Sequence, residues 1–468
     1  MSFIVYDLSF LVLFTLAIVI FLYTRKHNLK REGIMYLYRT SIGLKFIDYI
    51  AKKYPKTLKV MSYVIVTCGY VLMALSVYLL LQILNIFTKP ELVKIIKVPP
   101  IMPLIPYMGE IFKASWLPPF YFTYLIIAIA LVAIFHEGFH GIFARFNKIR
   151  IKSTGFGFLG PFLAFFVEQD DKQMQKSKIF PQLTVLGAGV FANVILTIIF
   201  FLLLGWFFAS AYTPAGVIFA DYSYAAMPAS MLAGIHFGNE TINVNNNTLI
   251  KIKLENNSYF IQDSVLKENF NSENETLIKV YLDQPAIRNS IIGYITEING
   301  IKIKSNSDIS QELSGKKPGD EINIITKLND KTQSYEIKLG ADYKNKSRAV
   351  IGIVSYNNPY SNSNSLRAWI NKLINKFNDP SVHYEAKANA DFTTFIYYLL
   401  WWIFMINLSV AVANMLPLGI FDGGRFFMLT ILAITGKKKI AENAFKYMTW
   451  FLLGIIVVMM ILYFIGIF

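Results

Sequence analysis

One cysteine and five histidines are all that 468 residues contain of these two metal-binding side chains. A lone Cys68 excludes an intramolecular disulfide and any zinc site built on thiolates, so a metal here must use His, Asp or Glu. Charge is also scarce. Asp, Glu, Lys and Arg make up 16% of the chain, against 54% hydrophobic residues, a balance that excludes an ordinary soluble protein of this length. Residues 1–7 carry no basic group, and no small-residue cleavage site precedes Arg25-Lys26. That argues against a removable signal peptide and for a retained first span. No paired inverted halves are visible, which counts against a transporter with a metal site at a broken helix.

What is present is a set of long apolar runs. Six are long enough to cross a bilayer, roughly 8–24, 61–88, 118–144, 182–212, 392–416 and 443–467. The net charge of +15 therefore reads as basic loops beside membrane spans and contact with anionic lipid, not as a nucleic-acid surface. Ten Lys and Arg residues lie between the first two runs, from Arg25 to Lys59. Arg145, Lys148, Arg150 and Lys152 follow the third, and Lys437, Lys438 and Lys439 precede the sixth. By the positive-inside rule these loops are cytoplasmic, and the polar segment 213–390 lies on the other side. Five N-x-[ST] sequons in that segment, at Asn239, Asn246, Asn256, Asn274 and Asn345, agree with this topology. An Asn-rich segment also produces them by chance.

The third run contains His136-Glu137-Gly138-Phe139-His140. Residues four apart on a helix point the same way, so both histidines can hold one metal ion. Glu137 is placed to take a proton from a water on that metal. With so few histidines, chance gives this pentad in on the order of one chain in a thousand. Ionisable groups inside a membrane helix are costly, and that favours function over decoration.

A catalytic zinc needs a third protein ligand. His27, His236 and His383 lie in loops away from the pentad's depth. Asp422 follows the fifth run, after Pro417 breaks the helix, at the depth expected for His136. Gly423-Gly424 beside it permits close backbone approach. Asp422 can point its carboxylate at the metal, or it can cap a helix over 423–435. Asn193, polar and inside the fourth run, can bind a substrate carbonyl or oxyanion, or tie helices together.

Between these runs, residues 155–167 are apolar but punctuated by Gly155, Gly157, Gly160 and Pro161. An extended hairpin dipping into the protein is expected, with an edge that could pair with a substrate strand. Residues 292–303 alternate around Asn299-Gly300, 308–313 suit a short helix, 317–320 a turn, and 321–326 and 334–339 strands. Pro228 to Ile235 reads as a partner of Pro285-Ala286-Ile287, 238–276 as a loop-heavy insertion, 355–365 as a linker, and 367–377 as a surface helix.

Taken together, His136 to His140, Gly189-Val190-Phe191-Ala192-Asn193, and Asn414-Met415-Leu416-Pro417 with Asp422-Gly423 resemble the site-2 protease family of intramembrane zinc metalloproteases. The segment 285–320 is similar to a PDZ domain, and 155–171 to the family's re-entrant β-hairpin. The family's second proline and the Leu before the Asp are replaced here, with Phe421 preceding Asp422. The resemblance implies an α-helical polytopic membrane protein of about six spans, with an inserted α/β PDZ-like domain. It divides into 1–117, a catalytic part 118–212, an extracytoplasmic domain 213–365, and a second catalytic part 366–468. It implies Zn2+ held by His136, His140 and Asp422, Glu137 as catalytic base, and Asn193 and Asn414 toward the substrate or oxyanion. It also implies cleavage of transmembrane protein substrates, often after a first cut outside. The alternative is a non-proteolytic membrane scaffold with a partner-binding domain and a structural metal.

Overall fold

The computed structural model describes residues 3–33, 35–96, 98–114, 117–159, 162–232, 237–244, 247–254, 257–269, 276–329, 331–355 and 379–467. All of the expected linker 355–365 except Ser355, the expected surface helix 367–377, Gly160-Pro161, and the sequons at Asn246, Asn256 and Asn274 lie outside them. The chain divides into two compact units. One comprises Met1–Trp206 with Thr394–Phe468, and the other Phe207–Thr393.

In the first unit the elements run α1 (Phe3–Thr24), β1 (Leu29–Glu32), β2 (Met35–Thr40), α2 (Leu44–Lys53), α3 (Pro55–Phe87), α4 (Pro90–Ile96), α5 (Met108–Ile111) and α6 (Phe122–Phe146). There follow β3 (Ile151–Leu159), β4 (Phe162–Gln169), α7 (Asp171–Lys176) and α8 (Ile179–Ala211). Among the described residues six helices are long and apolar enough to cross a membrane: α1, α3, α6, α8, and two near the C-terminus introduced below. Each overlaps one of the six apolar runs. The chain is a polytopic helical membrane protein with a strand-rich segment inserted in its sequence.

β3 and β4 form the expected hairpin. It does not stand alone. β1 and β2, in the basic segment between the first two spans, extend it to a four-stranded antiparallel sheet in the order β1-β2-β3-β4. Met35-Tyr36-Leu37-Tyr38 carries the β-forming side chains for this, a signal masked by the surrounding lysines and arginines. β4 is left as an edge and packs along α6.

The start of α6 is held from another helix. Asp7 on α1 is 1% exposed. Its carboxylate accepts from Phe122 N (2.8 Å), Thr123 N (2.9 Å), Thr123 Oγ1 (2.5 Å) and Tyr107 Oη (2.7 Å). Two of the orphan N–H groups that every helix start exposes are thus satisfied by a residue 115 and 116 positions away. These four hydrogen bonds also explain how a carboxylate can be buried there.

In the second unit, β5 (Tyr212–Val217), β6 (Phe219–Tyr222), β7 (Tyr224–Pro228), β8 (Phe237–Val244), β9 (Asn247–Leu254), β10 (Asn257–Gln262), α9 (Asp263–Asn269) and β11 (Leu277–Leu282) come first. Then come α10 (Pro285–Arg288), β12 (Tyr294–Ile298), β13 (Ile301–Lys302), α11 (Asn306–Leu313), β14 (Glu321–Leu328), β15 (Lys331–Lys338), β16 (Gly340–Ala341), β17 (Ala349–Val350), β18 (Ile353–Ser355) and β19 (Val382–Ala386). One sheet runs β7-β11-β10-β9-β8 and another β15-β14-β12-β5-β19.

Two expectations are corrected here. Among its described residues the segment 238–276 is not loop-heavy: it holds a helix and three strands, which join β7 and β11 in a five-stranded sheet around Ile252, Phe260, Ile261 and Val280. Asparagine frequency hid the alternation of Ile250, Ile252 and Leu254 with Lys251 and Lys253. Nor, among the described residues, do 228–232 pair with 285–287. Pro228 pairs with Leu277, and 285–288 form a helical turn.

The turns, short helix and strands expected between 292 and 339 are present. Asn299 (φ +51°) and Gly300 (φ +80°) make the turn between β12 and β13. Ser305 and Asp308 form a capping box on α11, satisfying donors at that helix start reciprocally.

The first unit closes with α12 (Ala390–Asn414), which begins in the second unit, then α13 (Asp422–Thr435) and α14 (Lys438–Ile467). Its largest core joins α2, α3, α6, the hairpin, α8, α12 and α13 around Ile65, Phe143, Val190, Met415 and Phe426.

Candidate metal centre

α6 presents His136 and His140 on one face, 8% and 6% exposed. The turn after α12 returns the chain so that Asp422 opens α13. This return is tight. A Cβ on Gly423 would lie 2.4 Å from the Met415 carbonyl, and one on Gly424 2.2 Å from Leu418 O. Only glycine fits at both places, as the pair in the sequence suggested. Phe421, not Asp422, occupies the cap position, leaving the Asp422 side chain to face the histidines.

Three donor atoms meet there. His136 Nε2 and His140 Nε2 are 3.1 Å apart, and Asp422 Oδ2 is 3.4 Å and 3.3 Å from them. The edge of a tetrahedron drawn at zinc–nitrogen and zinc–oxygen bond lengths is about 3.3 Å. The donor triangle has that size, and these three residues could hold a metal ion.

The surrounding hydrogen bonds set the histidine tautomers. His140 Nδ1 donates to Val185 O at 2.6 Å, so its Nε2 lone pair faces Asp422. The Asn193 side-chain amide, fully buried, lies 3.0 Å from His136 Nδ1. Its Nδ2 faces the ring, and its Oδ1 has no partner among the described residues. A half-turn of the amide lets the oxygen accept the Nδ1 hydrogen, the arrangement a ligating His136 requires. Two imidazole lone pairs and a carboxylate then converge, a donor set suited to a divalent cation.

Glu137, half-buried, projects beside this triangle into a cavity of about 300 Å³ lined also by Val167, Glu168, Asp171 and Arg425. Glu137 Oε2 accepts from Val167 N of the edge strand β4 at 3.1 Å, leaving Oε1 for other partners. Burial works against charge on Glu168. Arg39 Nε (2.9 Å) and Ser153 Oγ (2.8 Å) more than offset it, and the carboxyl is held below its usual range. Neither Asn193 nor Asn414 lines the cavity. Asn193 backs His136 instead, and Asn414 ends α12, half-buried.

Within Gly189-Val190-Phe191-Ala192-Asn193 the residue types give Gly189 no role of its own. A Cβ there would stand 2.4 Å from His140 Nε2 and 2.8 Å from His136 Nε2. Its missing side chain is the space the ligand nitrogens occupy. Val185 and Arg425 also escaped the sequence, because a backbone carbonyl and a cavity rim leave no residue-type signal.

Two buried histidines on a helix long enough to cross a membrane and the half-buried Asp422 thus form a group that could hold a metal ion, with Glu137 beside it. Residues 124–461 match the family described as peptidase family M50, and the chain belongs to that family of intramembrane metalloproteases, the site-2 protease family. No curated protein matches the chain. A crystal structure of the PDZ domain of an SdrC-like protein from Listeria monocytogenes is 37% identical over 15% of this chain and 75% of that one, with a TM-score of 0.14.

Proposed function

We propose that the protein is a zinc endopeptidase that cuts transmembrane segments of other membrane proteins. The observation that carries this is the donor triangle of His136, His140 and Asp422 with Glu137 beside it, in a unit made of membrane-length helices. Zinc held by these three residues would supply a Lewis acid for a peptide carbonyl and an acidified water. Glu137 would hold a proton at Oε1 as general base and pass it to the leaving amine, while the Val167 N–H keeps its carboxylate in place. Asn193 is a positioning residue: it fixes the tautomer and plane of His136.

A helical substrate has its carbonyls hydrogen-bonded and must unwind before it is cut. The edge of β4 supports the accommodation of an unwound strand. Val167 N–H points away from β3, and by the two-residue alternation of strands Phe165 and Leu163 direct their backbone groups the same way. An extended segment paired there runs past Glu137. The hairpin then acts as a re-entrant element at membrane depth.

The capping box on α11 and the turn at Asn299-Gly300 support a PDZ-like reading of 285–320, with that domain gating entry or binding the trimmed end of a substrate. The positions of the basic residues support a catalytic site toward the cytoplasmic side and 213–365 outside. Purified protein tests the proposal. Zinc should be present at one equivalent, and Asp422→Ala should lower it. An unchanged ratio in that variant removes Asp422 from the ligand set.

A further inference from the structure

The amphipathic helix α2 has a face that the metal site does not use. Leu44, Ile47 and Ile50 turn into the core. Ile47 reaches α6 beside Gly141, where an added Cβ would meet its Cδ1 at 2.9 Å. The opposite side is exposed and basic. Lys45, Lys52 and Lys53 lie on α2, and Lys56 and Lys59 on the first turns of α3. The one acid between residues 41 and 60, Asp48, is neutralised from within the protein by Arg145, whose Nε is 2.8 Å from Asp48 Oδ1. Between the lysines stand exposed rings: Phe46 at 62%, Tyr49 at 51% and Tyr54 at 43%. Lys53 Nζ sits 4.8 Å and 5.4 Å from the Tyr49 and Tyr54 ring centres, so its charge is carried on an aromatic base.

Depth identifies the partner. α3 starts at Pro55, directly after α2, and turns apolar from Val60 onward. The lysines and tyrosines therefore stand where a spanning helix leaves the hydrocarbon, at the level of lipid headgroups, and aromatic rings beside basic groups suit that layer. We infer that the exposed face of α2 and the first turns of α3 form a binding site for anionic phospholipid headgroups, with Lys52, Lys53, Lys56 and Lys59 contacting phosphate and Phe46 and Tyr49 seated among the upper acyl chains. The site abuts α6 five residues beyond His140, through the Asp48–Arg145 pair. It does not depend on the proteolytic reading, because its readout is lipid binding.

The test reconstitutes the full chain in phosphatidylcholine vesicles containing spin-labelled phosphatidylglycerol or spin-labelled phosphatidylcholine, and measures the motionally restricted fraction of each. The wild type should prefer the anionic probe, and added salt should weaken the preference. Replacing Lys52, Lys53, Lys56 and Lys59 together by Gln should reduce the preference by roughly five-fold or more, the scale of even one basic side chain at a charged surface. The same four positions changed to Arg should keep it. Inorganic phosphate at millimolar concentration should not compete, since the rings require the chains of a lipid. A wild type without preference, a Gln variant that retains it in full, or displacement by inorganic phosphate overturns the assignment. If the fourfold Gln variant does not insert, Lys52→Gln with Lys53→Gln alone applies the same criterion.

Discussion

Replacing Gly189 by alanine perturbs the candidate metal centre without replacing any of its three donor residues. The new methyl would start 2.4 Å from His140 Nε2 and 2.8 Å from His136 Nε2. Ordinary carbon–nitrogen contact needs about 3.4 Å or more, so one ligand nitrogen must retreat by about 1 Å. The donor triangle has edges of 3.1, 3.4 and 3.3 Å, and a retreat of that size takes a nitrogen out of bonding range. Disturbing a group that merely orients a ligand costs about 10–100-fold in affinity; displacing the ligand itself should cost at least the upper end of that range. The assay is zinc competition with a chromophoric chelator on detergent-purified protein, alongside metal content by mass spectrometry. Gly138→Ala is the internal control. It lies inside the pentad, yet a Cβ there meets nothing within 4 Å, so its affinity should stay within about two-fold. Wild-type zinc affinity in Gly189→Ala would refute the geometry on which the site rests.

Other outcomes follow from individual contacts. Asp7→Ala leaves the N–H groups of Phe122 and Thr123 buried without acceptors and should destabilise the membrane unit by about 1–3 kcal/mol for each orphan. Asp7→Asn keeps an acceptor and should cost less, as thermal unfolding in detergent would measure. Asn193→Ala should weaken zinc binding by about 10–100-fold while leaving the fold intact by circular dichroism; unchanged affinity would show that the amide does not steady His136. In the second unit, hydrogen bonds from the backbone of Lys304 and from Ser305 hold the Asp308 carboxyl below its usual range. Its stabilisation is therefore full above the unfolded Asp value and fades as pH falls through the lower folded one. Ser305→Ala should cost about 1 kcal/mol, and the difference between Asp308→Asn and wild type should shrink on acidification in calorimetric scans.

The residues that the chemistry needs were legible because each announces itself by type. A His pair at helical spacing in an apolar run, and an Asp after a proline break, stand out where charge is rare. The six spans were legible for the same reason. What escaped was carried by relations rather than by residue types. Asp7 is one acid near the start of an apolar helix, and only the packing of α1 on α6 makes it a cap. Gly189 is one glycine among several until two imidazoles are seen to fill its missing side chain. The β1–β2 hairpin sits in a stretch whose lysines and arginines speak for a loop. In 238–276 the asparagines conceal strands that the register of β8, β9 and β10 makes plain.

The central claim is that Glu137 moves the proton at a zinc centre assembled from His136, His140 and Asp422. The most direct test is Glu137→Gln in the full chain, assayed on a single-span substrate in detergent, with zinc content measured on the same preparation. Zinc should remain at the wild-type level, because Glu137 is not one of the three donors, and cleavage should fall by about 10²–10⁴-fold. Cleavage at the wild-type rate with zinc in place would contradict the account.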